Sequence, residues 1–292
     1  MALKSAMARR VVLGTLMSVA LAGVLLGEGW LGGRDYFVLS GKFRGIGFAL
    51  LVMVMLVKAV AELATMARAK GINPVVLVII PAVMLLVTGP FWSAEGSLGL
   101  ALAGVVFGSL LAAALVQGAK NGTENTLVNL GASCFSVIYL GFGGYFLVAI
   151  RLIGRDGGDL WSQAGTVVMF LACVKSADIG AYFTGRFIGR HKWAPSISPK
   201  KTWEGFFGGM ALAVIVASLF AEFSDIMYFE KAVVFGIAVA VSGQLGDLLE
   251  SMLKRDAGSK DSANLVPEFG GVMDMLDSPL VAAPVAYMLF MW

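Results

Sequence analysis

Carboxylates and cations recur at helical spacing near the C-terminal end of an otherwise apolar chain. Gln244, Asp247, Ser251 and Lys254 share one face of a helical pattern, with Arg255 beside them. Further on, Asp274, Asp277 and Ser278 share a face at the start of an apolar run that continues to Trp292. Lys260 and Asp261 stand in the loop between the two groups, ahead of Gly270-Gly271. An ionised carboxylate at the centre of a bilayer costs about 2.5–3.5 kcal/mol on insertion scales. In such a setting these side chains require a water-filled cavity, a bound cation or one another.

A second polar stripe lies upstream, where Lys175, Asp178, Tyr182 and Arg186 follow one another at spacings of three and four. It reads either as a structural Lys–Asp pair or as the lining of a polar cavity, because it runs directly into a basic loop. That loop ends Ser198-Pro199-Lys200-Lys201-Thr202-Trp203-Glu204-Gly205. Ser198 or Thr202 is placed to cap a helix beginning near Trp203, with Glu204 in its first turn. Two lysines ahead of a helix N-terminus make a ready anion site. A cationic anchor on lipid headgroups would explain the basic residues alone, but not their order around Ser198, Thr202 and Glu204. Lys58 and Glu62, four apart, read as an ion pair or as a snorkelling lysine beside its acid. Gly208 and Gly209 allow close helix packing.

The elements that must carry these residues are membrane helices. Of the 292 residues, 58% are hydrophobic and 14% charged, with mean hydropathy +0.84; a soluble domain is closer to a quarter charged. A net charge of +3 gives no argument for nucleic acid. Cys134 and Cys173 lie in apolar runs, with no disulfide framework and no thiolate spacing for a metal. A single histidine, His191, excludes a multi-histidine metal site. Spans of about 20 apolar residues suit a ~30 Å hydrocarbon layer. The expected fold is all-α and polytopic, with about nine transmembrane helices, roughly 9–27, 43–64, 73–91, 97–117, 126–151, 161–187, 203–223, 231–253 and 272–292. The first, preceded by Lys4, Arg9 and Arg10, reads as an uncleaved span rather than a signal peptide. Loop lysines and arginines divide about 14 against 6 when the N-terminus is inside, which predicts an N-in/C-out topology. Loops 186–202 and 254–271 then both face the cytoplasm. The chain divides into N-terminal spans over 1–125, about four of them, and a C-terminal part over 126–292 that carries the chemistry.

Taken together, these pieces resemble the phosphatidate cytidylyltransferase (CDP-diacylglycerol synthase) family. The resemblance rests on Ser251, Lys254-Arg255, Lys260-Asp261, Gly270-Gly271, Asp274 and Asp277, in that order. It is joined upstream by Asp178-Ile179-Gly180-Ala181-Tyr182, Gly185-Arg186, the Ser198–Gly205 segment and Ser242-Gly243-Gln244-Leu245-Gly246-Asp247. It is strong over about 170–280 and elsewhere extends only to the set of apolar spans. There are two departures: Glu268-Phe269 stand where the family has Gly-His, and Met275 where it has Arg. Any role of that histidine or arginine is absent here or supplied elsewhere.

The resemblance implies a multi-pass enzyme of the cell (inner) membrane with its active site toward the cytoplasm. Its substrates would be CTP and phosphatidic acid, its products CDP-diacylglycerol and pyrophosphate, and its cofactor Mg²⁺, a second cation and a homodimer being left open. Mg²⁺ takes a few carboxylates together with substrate oxygens and water. Asp247 and Asp274 are the first expected ligands and Asp277 the next. Lys254, Arg255 and Lys260 would hold phosphate, as would Lys200, Lys201 and Thr202 from the opposite loop; Asp178, Arg186, Ser198, Glu204, Ser251 and Asp261 complete the expected site. The attacking lipid phosphate is already anionic, so no Ser-His-Asp or Cys-His arrangement is needed. Other readings stay open: a CTP-dependent transferase acting on another lipid phosphate, a non-catalytic relative, and, from a different class, a secondary transporter with an ion path past Lys175, Asp178, Asp247 and Asp274.

Overall fold

The structure, a computed structural model, describes residues 45–92, 98–153, 160–224, 226–258 and 271–292, together with Gly23. The expected first span over 9–27 lies, apart from Gly23, outside the described residues, as do Lys260, Asp261, Glu268 and Phe269. The described elements are helices: α1 Ile46–Ala69, α2 Val76–Trp92, α3 Leu98–Asn121, α4 Thr126–Ser136, a π-helical turn Val137–Phe142, α5 Gly143–Leu152, α6 Leu160–Phe187, α7 Trp203–Phe223, α8 Phe229–Asp256 and α9 Met273–Met291. Among the described residues the only β pairing is an isolated antiparallel bridge between Lys192 and Thr202. Each expected window from residue 43 onward holds a helix. Six are long and apolar enough to cross a membrane; α4, the π turn and α5 count together as one of these. The remaining two are α2, which has 17 residues and is bounded by the Gly71–Pro74 break, and α9, whose first turns carry Asp274, Asp277 and Pro279.

Helix starts are secured by side-chain partners, from a neighbouring element at α2 and from the chain itself at α7. The chain entering α2 has its Asn73 and Val75 amides bound by Asn129 Oδ1 at 2.8 Å and Ser133 Oγ at 2.9 Å. α7 begins at Thr202, whose hydroxyl accepts from the Gly205 N–H at 3.2 Å, so Thr202 rather than Ser198 is the cap. Large apolar side chains on α3, among them Leu100, Phe107, Leu111 and Leu115, are exposed. In water such a surface would be a liability; against acyl chains it is the expected one.

Two close approaches set the geometry of the C-terminal half. A Cβ on Gly209 of α7 would lie 2.5 Å from the Ala177 carbonyl of α6, and one on Gly180 would lie 2.8 Å from the Gly208 carbonyl. The small residues thus let two backbones touch, as the sequence suggests for Gly208 and Gly209. On the other side, a Cβ on Gly246 of α8 would collide with the Asp277 carbonyl of α9. α8 therefore sits between α7 and α9, with Asp247 brought against the first turns of α9.

Of the two readings of Lys58 and Glu62, the ion pair is not formed. Glu62 is 1% exposed, and its two carboxylate oxygens accept from the Val272 and Met273 amides at 2.8 and 2.9 Å. Unpaired helix-start amides outcompete a lysine one turn away, because they carry the positive end of the helix dipole into a buried place.

Candidate active site

α6, α7, α8 and the start of α9 enclose a cavity of about 760 Å³. One wall is the loop before α7. It folds back on itself like a small hairpin: the Trp203 amide donates to the His191 carbonyl at 2.9 Å and the Lys201 amide to the Ser198 carbonyl at 3.1 Å. Glu204 fastens the turn from α7, accepting from the Arg190 and His191 amides and lying 2.6 Å from His191 Nδ1. Ser198, Lys200, Lys201 and Thr202 line the cavity, whereas Glu204 stands outside the lining as the brace that shapes the loop.

Lys201 links this wall to the opposite one. Its Nζ is 3.0 Å from Asp247 Oδ2 and 3.2 Å from the Gln244 carbonyl. Gln244 in turn donates through Nε2 to the Phe206 carbonyl at 3.2 Å, which locks α8 to α7. From α6, Asp178 faces the cavity while paired with Lys175 at 3.3 Å, and Arg186 faces it while donating to the Tyr182 hydroxyl at 2.6 Å. Both readings of the α6 stripe therefore hold together: Lys175 and Asp178 form the pair, and Asp178, Tyr182 and Arg186 form the lining.

The carboxylates gather on α8 and α9. Ligand oxygens of Asp247, Glu250 and Asp277 all lie within 4.8 Å of one another. Asp274, expected beside Asp247, is engaged differently: Lys254 Nζ donates to its Oδ1 at 3.0 Å and the Gly271 amide to its Oδ2 at 3.0 Å. Lys254 also reaches Glu250 Oε2 at 2.8 Å, so a single ammonium ties α8 to α9. Asp277 is buried and accepts from the Ser278 amide at 2.5 Å. Glu250 is 1% exposed and its Oε1 has no hydrogen-bond partner. An orphaned buried carboxylate oxygen beside two further carboxylates is an all-oxygen donor set suited to a hard divalent cation. Ser251 and Arg255 lie on α8 but are not among the lining residues, and Lys260 and Asp261 lie outside the described residues.

Glu250 is the site residue that reading by spacing missed. The signal was present, since it stands three residues after Asp247 and four before Lys254. Glu62 had no such signal; its link to α9 spans 210 residues.

Known proteins resemble this chain along most of its length. The chain is 33% identical over 260 residues to a phosphatidate cytidylyltransferase of Bacillus subtilis, covering 87% of this chain and 91% of that one. It is 43% identical over 116 residues to a phosphatidate cytidylyltransferase of Haemophilus influenzae, covering 38% of this chain and 40% of the other. A phosphatidate cytidylyltransferase of Synechocystis is 35% identical over 185 residues, covering 56% and 62%. The model of the cytidylyltransferase family matches residues 32–292, which include every residue lining the cavity, and the chain belongs to that family.

Proposed function

We propose that this protein transfers a cytidylyl group from CTP to phosphatidic acid, giving CDP-diacylglycerol and pyrophosphate, in the cavity between α6 and α9. The observation that carries the reading is the confrontation, within one cavity of a cytidylyltransferase-family chain, of lysines on the loop before α7 with carboxylates on α8 and α9. In the reaction an oxygen of the lipid phosphate bonds to the α-phosphorus of CTP while the α–β bridging bond breaks, and pyrophosphate leaves with that electron pair. Two anions must meet in line, so the task of the protein is placement and charge compensation more than proton transfer.

Lys200, Lys201 and Arg186 supply the positive wall. Lys201 exchanges its Asp247 partner for a phosphate oxygen when the nucleotide enters. Lys254 holds Glu250 and Asp274 at a fixed separation and so keeps α8 and α9 in register. Asp247, Glu250 and Asp277 are the residues that would hold Mg²⁺, with Asp274 next to them. What Mg²⁺ supplies when bound there is neutralisation of phosphate charge. The hydroxyl of Thr202 and the brace of Glu204 keep the lysine loop in shape while partners exchange.

In this reading the protein is a multi-pass protein of the cytoplasmic membrane of about nine spans, N-in/C-out, with the cavity opening to the cytoplasm. The Lys/Arg asymmetry supports it, and so does the 3.1 Å ion pair between Lys70 after α1 and Asp256 at the end of α8, which sets these two helix ends on one side. The test is formation of labelled lipid from radiolabelled CTP by the purified protein, with phosphatidic acid or a polyprenyl phosphate as acceptor, with and without Mg²⁺. Magnesium-dependent CDP-diacylglycerol is the expected product. Product with the polyprenyl acceptor alone would reassign the lipid, and no product with either would overturn the reaction.

A further inference from the structure

We infer that Glu62 is a positioning residue for the carboxylates of the site, acting from α1 through the backbone of α9. Its two oxygens are divided between two consecutive amides, Val272 N–H at 2.8 Å and Met273 N–H at 2.9 Å. The amide before them, Gly271 N–H, donates to Asp274 Oδ2. Three successive amides at the start of α9 are thus each held by a carboxylate, two of them by a side chain from the far end of the sequence. Amides at a helix start have no intrahelical acceptor, and the usual remedy is a polar side chain at the cap. Here the cap position is Val272, which offers none. A cap from its own chain segment would leave α9 free to rotate or slide as a unit. A cap from α1 sets the height and azimuth of α9 against another helix.

That constraint bears on the site because Asp274 and Asp277 follow the clamped amides within the next turn or so. Asp274 must stay within 3.0 Å of Lys254, and Asp277 within 4.8 Å of the ligand oxygens of Asp247 and Glu250. A small rotation of the first turn of α9 would break both relations. Gly246 packs α8 against the Asp277 carbonyl, so α9 is registered from two sides: by close packing on α8 and by the carboxylate clamp on α1. The inference rests on the proposed reaction for its kinetic readout alone; the backbone readout stands without it.

The experiment compares full-length wild type with Glu62→Gln and Glu62→Asp in detergent, confirmed as folded by gel filtration. Deuterium exchange is followed in the peptide over 271–277, alongside kcat, KM for CTP and the half-activating Mg²⁺ concentration. Glu62→Gln turns an NH₂ toward one of the two amides, so exchange there should quicken by about tenfold or more. Its kcat should fall about tenfold or more, with KM for CTP changed less than about twofold and the half-activating Mg²⁺ raised several-fold. Glu62→Asp keeps two acceptors on a shorter arm and should fall between the wild type and Glu62→Gln in all readouts. Unchanged kcat and Mg²⁺ dependence per folded molecule, even with lowered thermal stability, would reduce Glu62 to a structural cap and overturn the inference. If the wild type forms no labelled lipid, the reaction fails on its own, and unchanged exchange at Val272 and Met273 in Glu62→Gln would still overturn the clamp.

Discussion

Lys254 offers the sharpest test of how the site is held together, because one ammonium satisfies two acids on two helices. Its Nζ lies 2.8 Å from Glu250 Oε2 and 3.0 Å from Asp274 Oδ1, and its side chain is 15% exposed. Hydrogen bonds to charged groups are each worth about 1.5–3 kcal/mol, and removing one partner of a buried pair costs about 3–5 kcal/mol because the other charge stays behind. Lys254→Met keeps the length and apolar body of the side chain and removes only the charge and its donors. It leaves Glu250, already short of a partner at Oε1, without its ammonium and beside Asp277 and Asp247, of which Asp247 alone keeps a lysine partner in Lys201. The expected loss is therefore about 3–5 kcal/mol, a factor of 100 or more in the folding equilibrium. The assay is thermal unfolding in detergent followed by size-exclusion fluorescence. Glu250→Gln in the Lys254→Met background should recover about 1.5–3 kcal/mol, because the uncompensated charge is gone, and the double-mutant cycle isolates that coupling. A melting temperature for Lys254→Met equal to the wild type, or a double variant that loses the full sum of the single losses, would show that Lys254 does not carry the acids.

The remaining expectations address the other walls. Replacing Lys200 and Lys201 together by glutamine should raise KM for CTP or phosphatidic acid by about tenfold, with the protein still folded; unchanged kinetics would leave the loop a purely topological role. Asp247→Asn and Asp277→Asn should each lower turnover by more than about 100-fold, and the pair together little more than either alone, which steady-state rates at saturating Mg²⁺ would show. Gly246→Ala sets a methyl against the Asp277 carbonyl and, by displacing α9 by some tenths of an ångström, should reduce kcat by about tenfold or more at unchanged helix content. In a background with Cys134 and Cys173 replaced by serine, Arg190→Cys and Tyr228→Cys should be labelled by an impermeant maleimide from opposite faces of the membrane.

How much of this was legible in the sequence depends on the range of the interaction. Periodicity places residues on helix faces, and on that basis Asp247 with Lys254, Asp274 with Asp277, and Asp178 with Arg186 were readable one helix at a time. A cap at Ser198 or Thr202, which the structure settles as Thr202, and the small-residue contact of Gly208 and Gly209 were readable for the same reason: each depends on chemistry within a few residues or on the absence of a side chain. What periodicity does not convey is which helices adjoin and at what height. Spacing makes Asp247 and Asp274 look like two equal ligands. Only the approach of α8 to α9 at Gly246 shows that Asp277 meets Asp247 and Glu250, while Asp274 meets Lys254. Glu62 marks the limit most clearly. Within its own helix its obvious partner is Lys58, a full turn away and oppositely charged, and local reasoning offers that pair or a snorkelling lysine and nothing further. An exposed pair of that kind is worth about 0.3–0.5 kcal/mol, whereas two amide hydrogen bonds to a carboxylate are worth several times as much once water is excluded. Burial decides between the partners, and burial is set by how α1 packs among the helices around it, α9 included. The residues most informative about how this site is assembled are therefore those whose local reading was wrong, since there a distant contact outweighed a nearby one.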